Sequence, residues 1–114
     1  MKTIRDMVQE IQAEVVKGDL LPGRAAELLN TLSALLGNCN DEIRRADMAY
    51  SNILLKWYGI EEKVNRAKTQ AETKPEYEAK RVARDTKELV LEMIRSLKYY
   101  IRAKSEEFRN SGNM

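Results

Sequence analysis

Apolar residues recur along this chain with the period of a helix from one end to the other. Ile4, Met7, Val8, Ile11 and Val15 fall at i, i+3, i+4, i+7 and i+11, one face of a helix over 3–17. Thr3 followed by Asp6 resembles a capping box at its start, and Gly18 is the natural stop. Pro22 suits a first helical position, where its missing N–H would have no partner in any case. Leu28, Leu29, Leu32, Leu35 and Leu36 then predict a second helix over 22–36, ended by Gly37. The short connection through Gly18–Leu21 makes these two an antiparallel hairpin.

From Asn40, a good cap, the spacing changes character. Ile43, Ala46, Tyr50, Ile53, Trp57, Ile60, Val64, Ala67 and Ala71 alternate by three and four, the seam of a coiled coil, and predict a third helix over 40–72. Gly59 inside it costs about 1 kcal/mol relative to alanine. Pro75 pushes Lys74 out of the helical region and opens a fourth helix over 75–109, followed by a polar tail, 110–114. The expected fold is therefore all-α and one domain: four helices, with a short N-terminal hairpin packed on a long antiparallel one. The expected core includes Ile11, Val15, Leu28, Leu32, Ile53, Trp57, Ile60, Leu89, Met93 and Leu97.

The fourth helix carries its charges in stripes. At about 100° per residue, Lys80, Arg84, Lys87, Arg95, Lys98 and Arg102 share an arc of about 60–80°. Glu78, Asp85, Glu88 and Glu92 lie on a neighbouring arc, and Val82, Leu89, Val90, Met93, Leu97, Tyr100, Ile101 and Phe108 on the far side. At 1.5 Å per residue the basic ridge is about 30 Å long, enough to track a phosphate backbone, with Tyr99 at its edge able to stack on a base. The plainer alternative is a solvated face, given how closely Asp85 and Glu88 flank it. Lys63, Arg66 and Lys68 would extend the ridge if the fold brought them alongside. Leu54, Leu55 and Tyr58 widen the apolar surface of the third helix beyond its seam and are candidate interface residues, to be covered by the short hairpin or by another subunit.

Composition limits the chemistry. The 114 residues include no His and one Cys, which removes Ser-His and Cys-His nucleophile systems and most zinc or iron sites. There is no glycine-rich phosphate loop. Glu61, Glu62, Asp85, Glu88 and Glu92 are candidates on paper for a helical carboxylate site, yet each stands beside Lys or Arg and no matched pairs occur. The chain is expected to be non-enzymatic, with no cofactor and no metal. Its net charge of +2 is too mild to define a partner by itself. No window of the sequence is apolar enough to cross a membrane, and the N-terminus lacks the apolar core of a signal peptide. A cytoplasmic protein without membrane contact is expected.

The stretch NRAKTQAETKPEYEAKRVARDTKELVLEMIRSLKYYIRAKSEE, Asn65–Glu107, resembles small all-helical proteins of phage and prophage early regions, and PGRAAELLNTLSALLGNCNDEIRRADMAY upstream is similar in character. The resemblance implies a protein acting during infection, near recombination or replication genes or as an inhibitor of a host system. It carries over no site residues, and a cellular helical adaptor fits the same sequence. The expected function is non-catalytic binding of nucleic acid or a nucleoprotein complex through the ridge. The alternative is an adaptor or an inhibitor of a host enzyme, with a host or phage protein as partner. The heptad seam adds homo-oligomerisation to either.

Overall fold

A computed structural model describes residues 2–112, and the four helices are α1 (Ile4–Val16), α2 (Pro22–Ile60), α3 (Val64–Glu72) and α4 (Pro75–Gly112). The fold is all-α. The long helices α2 and α4 pack against each other, and α1 and α3 are short.

α1 begins with a full capping box. The Thr3 hydroxyl oxygen accepts from the Asp6 amide and the Asp6 carboxylate from the Thr3 amide, both at 3.1 Å. Aspartate, one methylene shorter than the usual glutamate, thus still closes the reciprocal pair. Gly18 and Asp19 turn the chain with φ of 78° and 55°, the left-handed region that glycine enters freely and aspartate tolerates. Leu20 is buried at once.

Two expected boundaries are corrected. The helix predicted to end at Gly37 and restart at Asn40 runs unbroken from Pro22 to Ile60. A glycine stops a helix by taking a positive φ, and among the described glycines only Gly18 does so. Leu35 and Cys39, buried on either side of Gly37, hold the helix through it. The helix predicted over 40–72 instead breaks at residues 61–63. The seam positions Ile60 and Val64 are 60% and 57% exposed, so no burial drives the helix through this stretch. Beyond the break the seam positions Ala67 and Ala71 of α3 are both buried. At the other end, residues 110–112 of the expected tail continue α4, and 113–114 lie outside the described residues.

The chain forms two compact units. One is Asn38–Lys87, and the other comprises the stretches before and after it. In the latter, α1 contributes Ile4, Val8 and Ile11, α2 contributes Ala25, Leu28, Leu32 and Leu35, and α4 contributes Val90, Met93, Ile94 and Leu97, all buried. The Tyr100 hydroxyl donates to the Leu20 carbonyl, tying α4 to the α1–α2 turn. Arg24 clamps the same turn. Its Nε and Nη2 donate to Glu14 at 2.6 and 2.9 Å, and its Nη1 donates to Glu27 at 3.0 Å. The hydrogen bonds from Arg24 hold the Glu14 carboxyl below its ordinary range.

In the Asn38–Lys87 unit the pairing is antiparallel, with Asp47 beside Arg84, Tyr50 beside Tyr77 and Lys80, and Trp57 beside Lys74. Cys39, Tyr50 and Ala83 are buried. Thr86 is buried as well, its hydroxyl donating to the Val82 carbonyl at 2.7 Å, which lets a polar residue sit in the stripe. Trp57, expected in the core, is half-buried with the Lys74 ammonium 5.3 Å from its ring, and Ile53 is half-buried too.

Trp57→Ala is therefore expected to cost about 2 kcal/mol, below the about 3–5 kcal/mol of a fully buried tryptophan, in a urea titration. The Glu14 carboxyl titrates lower in the folded than in the unfolded chain. The stabilisation from its pairing is thus complete above the unfolded value and lost as pH falls through the folded one. Thermal melts at falling pH should narrow the gap between the wild type and Glu14→Gln below about pH 4.5.

Candidate nucleic-acid interface

All six cations of the expected ridge lie on α4, where the 3.6-residue period brings them to one side. Their surroundings divide them in two. Lys80, Arg84 and Lys87 belong to the Asn38–Lys87 unit, where Lys80 and Arg84 have partners on α2. The Lys80 ammonium sits 4.6 Å from the centre of the Tyr50 ring, whose hydroxyl burial holds above its ordinary pKa. Arg84 Nη2 is 2.8 Å from Asp47 Oδ2. Lys87 is half-buried and close enough to the Cys39 thiol to favour its ionisation. Burial outweighs this and pushes the thiol pKa up, with the Glu42 charge acting in the same direction. Cys39 is fully buried and so keeps its proton at neutral pH.

Lys80 and Arg84 fasten α4 to α2. Asp47 shows how far the bond to Arg84 matters, because its other carboxylate oxygen is buried without a hydrogen-bond partner. Arg84 supplies the one neutralising contact that this carboxylate has among the described residues.

Arg95, Lys98 and Arg102 belong to the other unit and are exposed. Among the described residues the ion pairs engage Lys2, Arg24, Arg44, Arg84 and Lys104, and none of these three. Tyr99 is 75% exposed, and its place four residues after Arg95 and three before Arg102 sets it beside both on the helix surface. Glu88, Glu92 and Glu106 are exposed on the same flank of α4, so the basic surface has an acidic border.

Tyr99 also forms one wall of an open cleft of about 330 Å³ between the end of α1, the α1–α2 turn and α4. Val15, Leu20, Leu97, Tyr100 and Ala103 make most of the remaining surface apolar, with Asp19 and Ser96 as its polar members. The alternation of apolar positions could not reveal this cleft, because it is made where a turn with two positive φ angles passes α4.

The expected interface residues separate in the same way. Leu54 is half-buried, while Leu55 and Tyr58 are 66% and 37% exposed. Met48, 62% exposed, shares the α2 face of Leu55 and was not singled out by the seam pattern. Phe108, expected in the apolar stripe, is 83% exposed. So far along α4 the helix has passed most of what it packs on, and Phe108 shares only a shallow depression with Pro22 and its own helix neighbours. Val82, expected in the same stripe, is at the edge of exposure. The basic residues considered as an extension, Lys63, Arg66 and Lys68, are exposed around the start of α3.

Among the described residues no cluster of three or more His, Cys, Asp or Glu side chains is placed to hold a metal ion, and no helix is long and apolar enough to cross a membrane. Comparison with protein-family models, curated proteins and solved structures finds no match to this chain.

The division of the ridge has a direct test in stability. Arg84→Ala strands a partly buried carboxylate and should cost about 1 kcal/mol, whereas Arg102→Ala should change the unfolding free energy by less than about 0.5 kcal/mol. Equal losses in chemical denaturation would contradict it.

Proposed function

We propose that this chain is a non-catalytic binding protein that holds nucleic acid through Arg95, Lys98 and Arg102 of α4. The observation that carries the reading is that these three cations are exposed and without an ion-pair partner among the described residues, while Lys80 and Arg84 on the same helix are spent on contacts to α2 and Lys87 is half-buried. Cations that a fold does not use, gathered on one helix face, are free to replace the counterions of a phosphate backbone. Lys98 and Arg102 are one turn apart, and Arg95 is one turn before Lys98. The resemblance to helical proteins of phage early regions fits a role beside replication or recombination.

A second reading is favoured by a separate observation. Met48, Leu55 and Tyr58 leave large apolar surface on one face of α2, which suits docking to a host or phage protein, or to a further copy of the chain.

The two are separated by fluorescence anisotropy with labelled oligonucleotides of about 16 nucleotides. Binding at low salt should weaken with rising salt, with a logarithmic slope of roughly −2 to −3 for three neutralised phosphates. Charge reversal at Arg95, Lys98 and Arg102 together should remove it, and Leu55→Ser should leave it unchanged. Absence of binding at low salt rejects the nucleic-acid reading.

A further inference from the structure

The cations of α4 explain attraction to a phosphate backbone but not the aromatic ring and apolar cleft beside them. Tyr99 is 75% exposed although it stands against a cleft that could have buried it. On the helix surface this exposed ring has Arg95 four residues before it and Arg102 three after it. Arg95 and Arg102 are seven residues apart, about 10 Å along the helix, with Tyr99 between them. Behind the ring the cleft of about 330 Å³ is walled mainly by Val15, Leu20, Leu97, Tyr100 and Ala103, within the range of sites that take small planar ligands.

We infer that this site takes an unpaired nucleobase, so that the chain binds single-stranded rather than duplex nucleic acid. The inference rests on the nucleic-acid reading above and specifies its substrate. Charge complementarity selects the occupant. The cations at the rim call for an anion outside the cleft, and the apolar wall calls for an uncharged flat body inside it. A nucleotide joins those two groups covalently. The phosphates lie on Arg95 and Arg102, and the base stacks on Tyr99, which accepts any base because every base has a π-face. Asp19 and Ser96 in the wall offer oxygen acceptors to the N–H groups that every unpaired base presents on its pairing edge. The same groups are occupied in a duplex, where the bases are also stacked on one another and cannot reach the ring. The Tyr100 hydroxyl is already committed to the Leu20 carbonyl, which fixes the back of the cleft and leaves Tyr99 as the ring that meets the ligand.

The test uses the full chain and anisotropy at low salt with four probes: oligo-dT, oligo-rU, a duplex of the same length, and an abasic strand that keeps the sugar-phosphate backbone. Both single strands should bind more tightly than the duplex and the abasic strand. Tyr99→Ala should weaken single-strand binding about 5- to 150-fold, the size of one lost stacked base, with the salt slope unchanged. Tyr99→Phe, which keeps the ring, should retain the affinity. Because Tyr99 is exposed, both variants should keep the wild-type melting temperature, checked by circular dichroism. If binding depends on Arg95, Lys98 and Arg102 but is the same for the abasic strand, or unaffected by Tyr99→Ala, the base site is overturned and the backbone reading stands. If none of the probes binds the wild type, both fall.

Discussion

Most of a helix's stability in a protein comes from packing of its apolar face, and α2 and α4, of 39 and 38 residues, persist because each covers the other's apolar stripe. Nearly everything else follows from that mutual cover. The stripe on α2 passes through Ala25, Leu28, Leu32, Leu35, Cys39 and Tyr50, and that on α4 through Ala83, Thr86, Val90, Met93 and Leu97. The short helices add closure. α1 supplies three buried apolar side chains and the clamp between Glu14 and Arg24, and α3 supplies two buried alanines.

The same geometry sorts the charges. Residues at the edge of a buried stripe must reach across to the partner helix or point away from it. Lys80 and Arg84 find an aromatic ring and a carboxylate on α2, and their charge is consumed locally. Arg95, Lys98 and Arg102 find nothing of the kind and stay in water. Groups that look equivalent on a helical projection thus stand in chemically different surroundings.

Much of the fold was legible in the sequence because it depends on periodicity. The all-α class, the α1 cap at Thr3, the start of α4 at Pro75 and the burial of Leu28, Leu32, Met93 and Leu97 all follow from local pattern. What was not legible depends on the partner rather than on the chain's own rhythm. Gly37 stands in the helix because packing on both sides of it outweighs the modest cost of a glycine, and Ile60 is exposed because nothing lies opposite it. The charged site was half legible for the same reason. Spacing locates all six cations on one face, but only the identity of the facing residues, Asp47 and Tyr50, shows which are already spoken for. The cleft beside Tyr99 had no sequence signal beyond Gly18 and Asp19 at the turn.

Trp57 has a consequence of an optical kind. It is the one tryptophan of the chain, and it lies in the Asn38–Lys87 unit, half-buried beneath the Lys74 ammonium. Tyr50, Tyr58 and Tyr77 share its unit, whereas Tyr99 and Tyr100 lie in the other. Phenol absorbance therefore sums both halves, while indole emission comes from the Asn38–Lys87 unit alone. An event at the end where α1 meets α4 that leaves the indole emission unchanged is confined to that end, and one that shifts it has reached the other unit, without a label being attached.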